Sequence, residues 1–265
     1  MKKSLLAAIS PCPNDTYIFG AWVLGMVGDL SEMRTRFVWE DVQTLNEMAE
    51  SGGADIIKVS AVQALKLDNY EMLSCGGAFG LGDGPKLVAR PGLNGTPEKI
   101  GVPGTLTTAY ALLGAAADFD FESVPMFFHE IPDAISNGLV DAGLLIHETA
   151  LVYEEMGFEM ILDLGQWWKV RSDDSPLPLG VIIMRKSLGR DLFIEAEGII
   201  RKSITAAEEK YDQVRPMIKS LARELDDRVI DEHIRAYVND CSYDMGDKGV
   251  SALSVLKKIT GLTNE

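Results

Sequence analysis

The first two thirds of the chain alternate short apolar runs with stretches whose apolar residues recur at helical spacing. Leu5 to Ile9 reads as a strand, and a helix is predicted to begin after Pro13-Asn14-Asp15. Arg36 to Trp39 is a second strand. Asp41 then has the form of an N-cap, ahead of a helix with Val42, Leu45, Met48 and Ala49 on one face. Gly52-Gly53 stops that helix. Asp55 to Val59 is a third strand, and Ala61 to Leu67 a further helix. This rhythm predicts an α/β protein with mainly parallel sheets covered by helices.

Two segments share a pattern. Asn46 to Ala61 and Pro132 to Glu148 each run helix, glycine, aspartate, apolar strand, polar end. Aligning Asp55 with Asp141 sets Ala61 opposite His147, with Ser60 one residue earlier. In open parallel sheets, ligands collect beyond the carboxyl ends of the strands. Two such sheets facing each other would put Ser60 and His147 on opposite walls of a central cleft.

The glycine-rich stretch Gly76 to Gly84, followed by Pro85 to Arg90, marks the expected end of a first lobe, residues 1–90. A second lobe is expected over 91–178. The strand Leu179 to Met184 would return the chain to the first lobe, which helices within 179–265 complete. Two crossings make a hinge able to close on a ligand.

Composition narrows the function classes. The net charge of −15 argues against broad binding to nucleic acid or anionic membranes. An acidic ligand would need local donors, for which Lys58, Lys86 and helix N-termini are candidates. No apolar run reaches the roughly 18 residues of a membrane span. Ser4 to Ile9 is too short for a signal-peptide core, and Ser10-Pro11-Cys12-Pro13 interrupts it, so a cytoplasmic location is expected. Cys12, Cys75 and Cys241 are widely spaced, as reduced thiols rather than a disulfide or zinc framework. Without an HExxH or three-histidine arrangement, no metal or cofactor is expected.

Several positions carry candidate chemistry, each beside a plainer reading. Ser10 to Thr16 lies between a strand and a helix, where Ser10, Asn14 and the loop amides either hold an anion or cap the helix. Thr107, Thr108 and the amides around Ala109 open another helix, as a carboxylate site or a threonine cap. His147 ends the apolar run from Ala142, either as a general base or as a locally bonded strand end. Glu148 either orients it or faces solvent. His129 is expected to end a strand, and His233, in a charged helical region, to be solvated. Cys12 reads as structural. Trp167 and Trp168 either stack on an aromatic ligand or pack a hinge.

Taken in order, these motifs resemble the 1,4-dihydroxy-6-naphthoate synthase family. The resemblance rests on Ser10 to Thr16 with Tyr17-Ile18-Phe19, Glu40 to Asn46, Lys58-Val59-Ser60, Gly84 to Val88, Val102 to Tyr110, Asp141 to Glu148, Asp163 to Trp168 and Pro176 to Gly180. Tyr17 stands where the family usually has phenylalanine. The resemblance implies a two-lobed fold of the type-II periplasmic-binding-protein kind. It implies conversion of cyclic dehypoxanthine futalosine to 1,4-dihydroxy-6-naphthoate and dihydroxyacetone in menaquinone biosynthesis, with His147 as proton acceptor. Asn46, Lys58, Val59, Ser60, Thr108 and Ala109 stand where the family lines its cleft. Two rival readings are a solute-binding protein for a small organic acid and the chorismate dehydratase of the same pathway. A homodimer is compatible with either class.

Overall fold

The computed structural model describes residues 3–31, 33–223 and 226–262. The chain opens with β1 (Lys3–Ile9), α1 (Pro13–Val23), β2 (Met33–Trp39), α2 (Val42–Ser51), β3 (Ile56–Ser60), α3 (Ala61–Ala64), β4 (Tyr70–Met72) and β5 (Ala78–Gly80). It continues through β6 (Lys86–Ala89), β7 (Lys99–Val102), α4 (Thr108–Ala116), β8 (Glu122–Pro125), α5 (Ile131–Ser136), β9 (Ala142–Leu145), β10 (Glu159–Asp163) and α6 (Leu164–Arg171). It ends with β11 (Leu177–Arg185), α7 (Arg190–Glu209), α8 (Tyr211–Leu221), α9 (Asp227–Tyr237), α10 (Asp240–Tyr243) and α11 (Gly246–Ile259).

Two sheets result. One has the order β2-β1-β3-β11-β4, with β5 also on β11; the other runs β10-β6-β9-β7-β8. β1 is parallel to β2 and β3, and β7 is parallel to β8 and β9. The two strands that arrive from the opposite sheet run the other way. β6 starts at the carboxyl end of β9, pairing Lys86 with Leu145, and β11 sets Gly180 against Ser60 at the end of β3. A strand entering from the cleft must oppose strands whose carboxyl ends face the cleft.

The two-residue period of the strands sorts the core. Leu5, Ala7, Ile9, Ile56, Ile182 and Met184 pack with Phe19 and Trp22 of α1 and Ile200 of α7. Ala8, Ile57, Val59, Val181 and Ile183 share the other core with Leu45 and Ala49 of α2 and Leu253 and Leu256 of α11. Every residue of β3 is buried, Lys58 included, as in a central strand covered on both faces.

Several sequence expectations shift. α1 begins at Pro13, so Asn14 and Asp15 lie inside its first turn; proline is preorganised for that first position. The helix expected over Ala61 to Leu67 stops at Ala64, and tighter turns follow in which Lys66 and Leu67 bond the carbonyls of Gln63 and Ala64. His129 lies in a single 3-10 turn, Phe128–Glu130, rather than at a strand end. The strand 86–89 belongs to the second sheet, so the chain crosses before Lys86 rather than at residue 90. The crossing is tight: a Cβ on Gly84 would come within 2.8 Å of the Gly165 Cα. The return occurs at Leu177, which pairs with Gly80, two residues before the expected Leu179. Asp41 caps α2 through Gln43 N–H, and Gly52 ends that helix at φ 69°.

Candidate active site

The carboxyl ends of β1, β3, β7 and β9 converge on one cavity between the sheets. Ser10, Asn14, Lys58, Val59, Ser60, Thr107, Thr108, Ala109 and His147, all singled out in the sequence, line it. Asn46 stands behind the wall. It is fully buried, its Oδ1 accepts from Ser60 N–H at 2.9 Å, and its Nδ2 donates to Ser60 Oγ and the Leu106 carbonyl. It ties β3 to the loop before α4.

The threonines are committed in part. Thr107 caps α4, accepting from Tyr110 N–H at 3.1 Å, and donates to the Gly104 carbonyl. Thr108 donates to the Leu179 carbonyl at 2.8 Å and accepts from Val62 N–H. With Tyr110 N–H taken by the cap, the Thr108 and Ala109 amides of the first turn remain as donors beside the cavity. Ser10 Oγ accepts from Cys12 N–H, leaving its hydroxyl proton for another acceptor.

Lys58 ion-pairs with Asp15 inside the protein, and Asp15 also accepts from Asn14 Nδ2 at 2.8 Å. A carboxylate therefore already offsets the cation expected to meet an acidic ligand. Lys86 pairs with Asp163 at 2.7 Å and does not line the cavity. Gly180 lets the Lys58 stem pass, since a Cβ there would sit 2.8 Å from Lys58 Cε.

His147 begins a 3-10 turn, His147–Ala150, with its backbone in the left-handed region at φ 56°. That conformation costs a non-glycine residue about 1–3 kcal/mol and persists where the surroundings fix it. Thr149 Oγ donates to the Ile146 carbonyl at 2.7 Å, and Glu148 is buried beneath the turn. The ring packs edge-on to Phe128 at 4.9 Å and parallel to His233 at 5.8 Å. Part of it faces the cavity, yet its surroundings are those of a protein interior. Desolvation lowers its pKa to about 4; Glu148 opposes this, and His233 and Lys58 reinforce it. The ring is therefore neutral near pH 7, with a lone pair available as base. Cys12 is the reverse case: burial first, then the Glu148 charge, hold its thiol well above the ordinary range, so it is no nucleophile.

The tryptophans lie away from the cavity. Trp168 is buried and donates to the Ser175 carbonyl at 2.7 Å, bracing the turn before β11; Trp167 lies under Arg171. Among the described residues, no group of three or more His, Cys, Asp or Glu could hold a metal ion, and no helix is long and apolar enough to cross a membrane.

A family profile described as menaquinone biosynthesis matches residues 5–261. The chain belongs to this family. It is 39% identical to a Streptomyces coelicolor protein named 1,4-dihydroxy-6-naphthoate synthase, over 94% of this chain and 90% of the relative. A Thermus thermophilus protein of the same name is also 39% identical, over 96% and 93% of the two chains. The crystal structure of an Archaeoglobus fulgidus protein superposes with a TM-score of 0.91 at 34% identity, covering 98% of this chain and 97% of that one. A Candida albicans protein described as having the generic periplasmic-binding-protein fold superposes at 0.70 with 15% identity, over 99% and 91%. The family member described here thus has the two-sheet periplasmic-binding-protein fold.

Among the cavity residues that the sequence did not single out are two rings of α9. His233 is fully buried rather than solvated, and Tyr237 lies beside it at 5.1 Å. Their signal was present. Ile230, His233, Ile234 and Tyr237 recur at helical spacing, so His233 belongs to the apolar stripe of α9. Glu148, left open between orienting His147 and facing solvent, points inward toward His233 at 3.4 Å.

Proposed function

We propose that this protein is a 1,4-dihydroxy-6-naphthoate synthase, a carbon–carbon lyase acting on cyclic dehypoxanthine futalosine in the cytoplasm. The observation that carries the reading is His147: a neutral ring, held in a strained turn at the end of β9, facing the α4 N-terminus across a cavity. The name of the nearly full-length relatives gives the product, a dihydroxynaphthoate, and the substrate follows from the family resemblance of the motifs.

In the proposed mechanism, His147 removes a proton from the bound sugar-derived ring. Cleavage of a carbon–carbon bond then releases the three-carbon fragment as dihydroxyacetone, and aromatisation of the remaining bicycle supplies driving force. The α4 amides and Ser60 hold carboxylate or hydroxyl oxygens, at positions where donors are preorganised by the fold. Closure of the two sheets around the ligand keeps water from the reactive intermediate.

The test is a product assay with purified protein and cyclic dehypoxanthine futalosine, followed by mass spectrometry. Dihydroxynaphthoate and dihydroxyacetone in equal amounts are expected. Binding without conversion would point instead to a solute-binding role on the same fold. Dehydration of chorismate would transfer the assignment to that reaction.

A further inference from the structure

His233 contacts both sides of the site. Its α9 packs near the start of α1 and near the turn carrying His147. Its Nε2 lies 3.0 Å from Asn14 Oδ1, and its Nδ1 lies 3.4 Å from Glu148 Oε2. The hydrogen-bond inventory fixes the protons. A carboxylate can only accept, so Asp15 requires the amide nitrogen of Asn14, which turns Asn14 Oδ1 toward the ring. That oxygen is an acceptor, so His233 Nε2 carries a proton. On the other side, His233 Nδ1 and Glu148 Oε2 are both buried and have no other hydrogen-bond partner among the described residues. Two bare lone pairs facing each other inside a protein would be costly, so one further proton belongs to this contact.

We propose that His233 is a positioning residue, an imidazolium whose two N–H groups face Glu148 and Asn14 and whose charge balances the carboxylate beside His147. The proposal rests on the reading of His147 as the base. At 3.4 Å the Glu148 contact has the length of an ion pair, longer than a charge-assisted hydrogen bond. Burial acts to raise the Glu148 pKa, but His233 and then His147 overcome it and hold the carboxyl at about 2, so the proton sits on the ring. The consequence for His147 is electrostatic. Left unopposed, the neighbouring Glu148 charge would favour protonation of His147 and remove the base. A cation stacked 5.8 Å away prevents that, and the same contact anchors the strained turn. The other groups facing this pair are Asp15 and its partner Lys58, the Cys12 thiol, and Tyr237 on α9 itself, whose phenol is kept protonated by burial and by Asp83, Asp163 and Glu148.

The chain has three histidines, so nitrogen NMR of 15N-histidine-labelled protein resolves the question directly. At pH 7.5, about one unit above the ordinary histidine value, one ring should show two protonated nitrogens, and that signal should vanish in His233→Gln. A neutral His233 with a proton on Nε2 alone would overturn the proposal, whatever the substrate. If His233→Gln does not fold, Glu148→Gln gives the second reading: the imidazolium signal should be lost at pH 7.5, and its persistence would overturn the charge pairing. In turnover, His233→Gln should move the acid limb of kcat/KM upward by on the order of one to two pH units. The double variant Glu148→Gln/His233→Gln should move it back. A limb unmoved in His233→Gln would mean that the residue only fills space. Absence of any synthase activity would sink the proposed function and leave the NMR result standing.

Discussion

The imidazole of His147 lies parallel to that of His233, centroids 5.8 Å apart and planes 11° from coplanar. The two rings look alike but sit in different settings. Both border the cavity, but His147 is partly open at the end of β9, whereas His233 is fully buried with its ring nitrogens turned to Glu148 and Asn14. A base needs an accessible lone pair, and a positioning group needs saturated contacts.

Replacing His147 with glutamine keeps a polar side chain of similar reach but no basic ring. Turnover should fall about 10²–10⁴-fold, the usual worth of general-base catalysis. The fold should survive, because His147 contributes stacking rather than core volume. Steady-state kinetics and circular dichroism on the same preparation decide the point. Near-normal turnover by a folded variant would remove His147 from the mechanism.

Acid should destabilise the protein through this residue in a defined window. Folded His147 titrates at about 4 against an ordinary 6.5, so between those values the unfolded chain binds a proton that the folded chain does not. Stability therefore rises with pH across the window and is lost as pH falls through it. Allowing for the part of the ring open to the cavity, the effect is on the order of 2 kcal/mol. Glu148 acts with the same sign lower down, between 4.5 and about 2. Urea unfolding at pH 7 and pH 5 should show a larger loss for the native protein than for His147→Gln. Equal losses would mean that the ring is not desolvated.

The sequence made much of this site legible because local rules govern it. Asp41 and Gly52 bracket α2 by capping chemistry, and the matched segments ending at Ser60 and His147 put two strand ends on one cavity. What escaped depended on partners distant in the chain. His233 finds Asn14 219 positions away, and no local pattern announces such a pairing. Lys86 looked like a ligand donor until its strand fell in the second sheet, where β6 pairs with β10 and its charge meets Asp163. Asn46 was placed in the cleft by resemblance, but its amide is used up one layer behind.

Asn46→Ala should therefore act first on stability. It strips the buried Ser60 N–H of its acceptor and frees the Leu106 loop. A loss of about 1–3 kcal/mol is expected for the orphaned donor. Because Ser60 and the start of α4 both move, KM should rise more than kcat falls. An unchanged unfolding midpoint would show that another group satisfies Ser60.

The buried Lys58–Asp15 pair separates the cost of a charge from the worth of an interaction. Lys58→Met preserves the stem beside Gly180 and removes the ammonium, leaving Asp15 ionised inside the protein. An abandoned buried charge typically costs about 3–5 kcal/mol. Adding Asp15→Asn removes that charge while keeping an oxygen able to accept from Asn14, so the double variant should recover most of the loss. Turnover need not follow stability, because Lys58 also borders the cavity. A stable but slow double variant would assign Lys58 to ligand binding. If the single variant were as stable as the double, Asp15 would already be relieved by water or by a proton, and Lys58 would lie in the wall without holding it together.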